Sequence, residues 1–329
     1  VLKNSINSIN PMNSKNFVIN LNKPKNISSQ KAVTKVKQIF AAKKAGHAGT
    51  LDPIATGVLL ICLNGATKIA RFLSDLDKEY IVRLKLGERT DTYDSTGKII
   101  ERKSWCLLKE AYIYEVVNKF KGSIKQTPPM YSAIKIDGQR LYKLARMGMD
   151  VKRPERMIHI YKIDIMYFNL PFLDLKISCS KGTYIRTLCD DIGKALGSGA
   201  HVVSLERTRI GNFSIEDSSS MEELISKKDA WHSIDSATSH LSEIILDEGT
   251  YYKARNGMPI IAPKNNLPES APLERGAGGN FKVHERGVSC KNLYINQYVR
   301  LKNPENILFG IGILERNMIR IERLLEGVS

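Results

Sequence analysis

Acidic residues are missing from the first 51 positions of this 329-residue sequence, which carry nine lysines before the first carboxylate, Asp52. Cysteine is scarce and scattered: Cys62, Cys106, Cys179, Cys189 and Cys290 form an odd set of five with no C-x-x-C pair. That usage supports neither a disulfide framework nor a zinc site, and it suits a reducing cytoplasm. No apolar run reaches the roughly 18 residues of a membrane span, and no apolar signal stretch stands near the start. The lead segment VLKNSINSINPMNSKN is rich in Asn and Ser but lacks the arginines of a transit peptide, so residues 1–16 read as a disordered tail. His47 has no second histidine at metal spacing, and the other five (His159, His201, His232, His240, His284) are dispersed, so no metal is expected. A phosphate-cradling G-x-x-x-x-G-K-[ST] loop is missing, because no lysine follows Gly49. Asp91 and Asp94 in RTDTYDSTG are spaced wrongly for a calcium loop.

What is present is ordinary globular composition with an unusual charge. The apolar fraction of 42 % and charged fraction of 26 % argue for a folded chain, and the length suits about two domains. Fifty Lys and Arg against 34 Asp and Glu leave a net +16, which favours a polyanionic partner, nucleic acid first among them. The excess concentrates in the N-terminal segment and again between Lys121 and Lys162, where ten basic residues face only Asp137, Asp150 and Glu155. A solvated surface accounts for such runs equally well.

Local patterns give the organisation. FVIN from Phe17 reads as a strand, and Ser28 or Ser29 can cap a helix whose apolar positions are Ala32, Val33, Val36, Ile39 and Phe40. A loop from Gly46 to Gly57 precedes the strand-like run VLLICL, and TKIARFLSDL reads as a helix capped by Thr67. Alternation at Tyr80, Val82, Leu84 and Leu86 marks a strand with one buried face. A helix at about 110–120, strands at about 157–168 and 172–179, and a helix starting near Thr183 follow. The mixture predicts an α+β fold with a mixed, mainly antiparallel sheet flanked by helices. Glycine, proline and polar residues dominate from Met258 to Gly287, and short alternating runs then predict a small β-rich C-terminal module. The boundary is placed near 250.

The loop GHAGTLDP carries the chemical signal. Small residues at Gly46, Ala48 and Gly49 admit close approach to the backbone, and Pro53 disfavours the helical region for Asp52. A pinned carboxylate on such a loop suits a nucleophile, while a plain Asp-Pro turn explains the same residues.

Five segments in order carry a resemblance: GHAGTLDPIATGVLLICLNGATKIARFL, DKEY, LGERTDTYDSTG, QTPPMYSAIKIDGQRLYKLARMG and CSKGTYIRTLCDDIGKALGSGAHVVSLERTRIG. Together, from about Lys23 to Gly211, they resemble the tRNA pseudouridine synthase B family. The resemblance implies a pseudouridine synthase fold and isomerisation of uridine to pseudouridine at position 55 in the tRNA T-loop, without metal or organic cofactor. It implies that Asp52 is the nucleophile, attacking C6 of the base or C1′ of the ribose. Either route needs an ionised carboxylate, which a neighbouring arginine would keep charged in a desolvated pocket. Arg186 matches the arginine paired with that aspartate, and Tyr80 an active-site tyrosine that stacks on the base and assists proton removal. Tyr184 and Leu205 match residues lining the base pocket, and His47 matches one that enters the RNA loop to support the flipped base. Without the resemblance, each of these five reads as core, surface or structural.

The basic segment, residues 124–156, corresponds to an insertion that clamps the T-loop and stem. Lys135, Arg140, Lys143 and Arg146 are candidate phosphate contacts, with Lys23 a further one. YVRLKN, FGIGILE and RIERLL resemble a PUA RNA-binding domain, placing that domain at 251–329 and the catalytic domain at 17–250. Residues 268–287 depart from any such pattern. The expectation is a cytoplasmic monomer without an obligate protein partner. The alternatives are the catalytic subunit of guide-RNA-directed pseudouridylation and a non-catalytic RNA-binding or tRNA-folding protein.

Overall fold

In the computed structural model, which describes residues 16–136, 138–263 and 297–325, the chain opens with strand β1 (Phe17–Lys23), helix α1 (Ser29–Ile39) and strands β2 (Ala45–Ala48) and β3 (Thr56–Leu63). A 3₁₀ turn at Asn64–Ile69 runs into helix α2 (Ala70–Ser74), then β4 (Lys78–Leu86), the hairpin β5 (Glu88–Thr90) and β6 (Ile99–Arg102), α3 (Glu110–Asn118) and β7 (Gly122–Gln126). A small hairpin, β8 (Lys135–Ile136) and β9 (Gln139–Arg140), leads to α4 (Leu141–Arg146). The long strands β10 (Arg156–Asn169) and β11 (Phe172–Cys179), helix α5 (Ile185–Ala195) and strands β12 (Ala200–Ile210), β13 (Phe213–Ser214) and β14 (Trp231–Ser233) follow. The chain continues through α6 (Ile234–Ala237), β15 (Ser242–Ile245), α7 (Glu248–Arg255), β16 (Ile260–Ile261), β17 (Gln297–Lys302), β18 (Leu308–Glu315) and β19 (Met318–Leu324). The tail expected at 1–16 and the stretch 268–287 fall almost wholly outside the described residues.

The main sheet runs β14-β1-β3-β12-β4-β11-β10-β7, with β13 on β12 and β2 on β3. Among the described residues β3 and β12 pair in parallel, and the other pairings of this sheet are antiparallel. This is the mixed, mainly antiparallel α+β arrangement that the sequence predicts. A second sheet, β15-β17-β18-β19-β16, forms the β-rich C-terminal module. It takes in Ser242–Ile245, upstream of the change in composition near 250, because β15 lies parallel to β17. Among the described residues no helix is long and apolar enough to cross a membrane.

The VLLICL run is continuous because β3 is covered on both faces. Leu59, Ile61 and Leu63 face a core shared with α1, α3 and α5. Val58, Leu60 and Cys62 face a second core that includes Phe72 of α2 and Ile311 and Leu325 of the C-terminal module. Strand β4 instead alternates. Tyr80, Val82, Leu84 and Leu86 point inward, and on the outer face Arg83 forms a bidentate pair with Asp174, its cross-strand partner on β11. The α2 region corrects one expectation: Thr67 caps no helix. It lies inside the 3₁₀ turn, and its hydroxyl donates to the carbonyl of Asn64. The loop expected at 46–57 is also shorter, since β2 takes residues 46–48 and β3 begins at Thr56.

Gly57 sits where β3 meets β12. Its φ is +95°, and a Cβ there would lie 2.2 Å from the carbonyl oxygen of Arg207, its register partner. Gly57→Ala should therefore destabilise the protein by at least about 1–3 kcal/mol through backbone strain, before any clash is relieved. Urea unfolding measures this, and an unchanged midpoint would contradict the close approach.

Candidate active site

The loop between β2 and β3 is fastened on both sides of Asp52. Ser29, buried at the start of α1, donates its hydroxyl to the Leu51 carbonyl at 2.9 Å and accepts from the Leu51 amide at 2.8 Å. The Asn26 amide donates to the Pro53 carbonyl at 2.7 Å, and the Ala55 amide to the Asp52 carbonyl at 3.1 Å. Ser28, by contrast, is the helix cap, accepting from the Lys31 amide. The carboxylate of Asp52 thus projects from a backbone held by its neighbours rather than by its own side chain.

Arg186, on the first turn of α5, meets it with a two-pronged contact. Its Nε donates to Oδ2 at 2.7 Å and its Nη2 to Oδ1 at 3.0 Å. Nη1 also donates to the Thr92 carbonyl at 2.8 Å and Nη2 to the Tyr131 carbonyl at 2.9 Å, while Asp94 Oδ2 stands 3.6 Å from Nη1. The arginine side chain is 3 % exposed and that of Asp52 is 33 % exposed. Burial alone would weaken proton binding by Arg186, but the charge and hydrogen bonds of Asp52, followed by Asp94, outweigh it and raise its pKa above the ordinary value. The cation is therefore permanent.

The ion pair borders a cavity of about 220 Å³ lined by Tyr80, Tyr184 and Leu205 as well as Asp52 and Arg186. Tyr80 is buried, which raises its phenol pKa against the opposing charge of Arg207. Tyr184 precedes α5, and its backbone exchanges two hydrogen bonds with the Gln126 side chain, at 2.8 and 3.1 Å. Burial raises its phenol pKa too. Both rings are neutral at physiological pH.

His47 stands on β2, opposite Ile61, and does not line the cavity. Burial, then the charges of Arg207 and Arg140, lowers its pKa and favours the neutral ring. Its buried Nδ1 has no hydrogen-bond partner among the described residues. The influence of Arg140 also brings the basic hairpin close to this loop. Lys135 and Arg140 on that hairpin, and Lys143 and Arg146 on α4, are all exposed.

Lys23 does not fit the surface role expected of it. It is 0 % exposed, and its ammonium donates to the carbonyls of Pro24 and Ile27 at 2.8 and 3.0 Å. It organises the turn before α1 instead of meeting RNA. Other cavity-lining residues lie beyond what the sequence patterns indicate, notably Lys78, Arg156 and Arg207. Arg207 is 1 % exposed and donates to the carbonyls of Val58, at 2.8 Å, and Gly49, at 3.1 Å. These partners are 149 and 158 positions away, so no local pattern marks them. Among the described residues no three His, Cys, Asp or Glu side chains converge at metal-ligand distance.

Comparison with known proteins gives a consistent result. Residues 37–185 match TruB family pseudouridylate synthase (N terminal domain), and residues 186–248 match tRNA pseudouridylate synthase B C-terminal domain. The tRNA pseudouridine synthase B of Clostridium tetani is 49 % identical over 247 residues, covering 74 % of this chain and 86 % of the relative. That of Haemophilus influenzae is 38 % identical over 305 residues, covering 93 % and 94 %. Among solved structures, a crystal structure of a Cbf5-Nop10-Gar1 complex aligns with a TM-score of 0.69 at 22 % identity, covering 97 % of this chain and 88 % of the other, a likeness of fold.

The burial of Lys23 has a measurable consequence. Burial lowers its pKa to about 8 from an ordinary 10.5, with Asp52 opposing the shift and Arg207 adding to it. Between these values the unfolded chain holds a proton that the folded chain has released, so this group makes stability rise with pH. Lys23→Met removes the titration. The stability of the wild type minus that of the variant, from urea unfolding, should therefore increase from about pH 8 to about pH 10.5. A flat difference would show that Lys23 is not held in a desolvated site.

Proposed function

The chain belongs to the TruB family of pseudouridylate synthases and makes pseudouridine in tRNA, and from that premise we propose that its target is the uridine at position 55 of the T-loop. The observation that carries this reading is the two-pronged Asp52–Arg186 pair at the edge of a base-sized cavity. Asp52 is the nucleophile. Its attack on C6 or C1′ leads to cleavage of the N1–C1′ bond, rotation of the base and formation of a C5–C1′ bond, and the bond to the Asp52 oxygen breaks again, by displacement from C1′ or elimination from C6, to return the free carboxylate. C5 loses a proton and N1 gains one, so the product is an isomer of the substrate and no external reactant is consumed. Either attack requires the ionised carboxylate, and Arg186 holds both of its oxygens in place.

Tyr80 offers a ring for the flipped base and a neutral phenol beside the reacting atoms, and Tyr184 and Leu205 complete the apolar walls. The base must leave its stack to enter, at a cost of a few kcal/mol, which contacts elsewhere offset. His47, on the loop's approach, supports the opened T-loop. Lys135, Arg140, Lys143 and Arg146 on the 124–156 insertion meet phosphates of the T-loop and stem. The chain up to about residue 241 supplies the catalytic domain, and the C-terminal sheet that begins with β15 belongs to a PUA-like RNA-binding domain. The reading carries with it a cytoplasmic monomer that needs neither cofactor nor partner protein.

Incubation of the protein alone with unmodified tRNA, followed by chemical mapping, should place pseudouridine at the T-loop uridine. Absence of product there would overturn the positional assignment, and product only with a guide RNA and partner proteins would identify the guide-directed type. Asp52→Asn should bind tRNA as the wild type does and lose turnover by more than about 10³-fold. Retained function in that variant would mean that the protein acts by binding alone. Salt should weaken tRNA binding steeply but leave the single-turnover rate at saturating tRNA nearly constant. Equal sensitivity of the two would contradict the separation of binding charge from chemistry.

A further inference from the structure

The cavity wall holds more positive than negative charge. Among its lining residues Asp52 is the one carboxylate, set against Lys78, Arg156, Arg186 and Arg207. Three of these cations have oxygen partners. Lys78 donates to the carbonyls of Ser74 and Leu76, Arg186 to Asp52, and Arg207 to Val58 and Gly49. Arg156 differs: its Nε and Nη2 are shut from solvent and have no hydrogen-bond partner among the described residues.

These two nitrogens form one edge of the guanidinium, the same edge with which Arg186 grips a carboxylate. The guanidinium carbon of Arg156 lies over the Tyr184 ring, 4.5 Å from its centroid. Nη1 lies where residue 182 has no side chain, and a Cβ there would approach it to 3.4 Å. Arg156 also stands at the junction of the basic insertion and β10, opposite Gln126, whose side chain fixes the Tyr184 backbone. Burial lowers its pKa, and its one nearby titratable neighbour, the Tyr184 phenol, is neutral at physiological pH and supplies no counter-charge. Arg156 is half-buried, but a cation whose Nε–Nη2 edge is shut from solvent without a counter-ion is costly, so an anion brought to that edge would stabilise it.

We propose that Arg156 is the receptor for a phosphodiester of the substrate, the one flanking the nucleotide whose base enters the cavity. This rests on the reading above that the substrate is the tRNA T-loop. The choice of a phosphate over a neutral base carbonyl follows from charge: a guanidinium fork fits an oxyanion with two parallel hydrogen bonds, and only an anion completes the site. Docking of the RNA on the insertion would uncover the Nε–Nη2 edge, and the Tyr184 ring would stay on the other face to meet the base. One residue would thereby link base entry to backbone grip.

The test pairs protein and RNA changes. Wild-type turnover on an unmodified T-arm stem-loop is established first, since failure there would defeat the underlying reading and not this one. Arg156→Gln should then weaken binding of the stem-loop about tenfold or more and lower the slope of log affinity against log salt by about one. Stem-loops carrying a neutral methylphosphonate at one of the two linkages flanking the target uridine supply the second arm. One of these should bind the wild type about tenfold more weakly and bind Arg156→Gln with no further loss. Additive losses at both linkages, or a Gln variant with unchanged affinity and slope, would overturn the proposal. Arg156→Lys, which keeps the charge without the fork, guards against misfolding of the Gln variant. It should retain the salt slope and lose part of the affinity, and wild-type affinity would equally refute the two-pronged contact.

Discussion

The contact between Asp52 and Arg186 is the constraint around which the molecule is arranged. The Asp52 carboxylate is partly exposed at the edge of the cavity, while the cation that holds it is enclosed. Arg186 is almost wholly enclosed, and the carbonyls of Thr92 and Tyr131 satisfy the donors that Asp52 leaves over. Each partner comes from a different part of the sheet's surroundings, so the pair requires α5, the loop after β5 and the segment before β8 to be in place together. Arg89 reinforces this. It bridges the fully buried Asp190, one turn beyond Arg186, to Glu101 on β6, fastening the hairpin to α5.

The remaining charge divides by depth. Lysines and arginines on the small hairpin and α4 are exposed, and solvated cations of this kind are those whose counterions a polyanion displaces. The deeper cations serve geometry. Lys23 draws together two carbonyls of the turn before α1, and Arg207 draws together the carbonyls of Gly49 and Val58, which flank the loop that carries Asp52. Arg156 stands between the two groups: the residue is half-buried, and its enclosed Nε–Nη2 edge has no hydrogen-bond partner among the described residues.

The sequence discloses the strands more readily than the site. Alternation at Tyr80–Leu86 and the apolar run at β3 report burial directly, because side-chain period and two-sided cover leave a compositional trace. Asp52 is legible as a candidate because glycine and proline restrict the backbone around it. Arg186 is different: its pattern is that of any helix arginine, and resemblance to a family alone singles it out. Ser29 and Arg207 escaped because their roles lie in contacts with backbone groups 22 and more than 140 positions away, which periodicity does not encode. Lys23 was misassigned for a related reason, since a lysine's charge says nothing about whether carbonyls surround it.

The 134 positions that separate Asp52 from Arg186 also set a schedule. At the usual pace of protein synthesis, roughly 5–20 residues per second, about 7 to 27 s pass between the making of one partner and the other. Strand β12, which wedges between β3 and β4 and carries Leu205 and Arg207, emerges later still. A nascent chain therefore holds Asp52 without the cation, the cavity wall or the sheet that surround it in the complete fold, each of which needs residues from Arg186 onward.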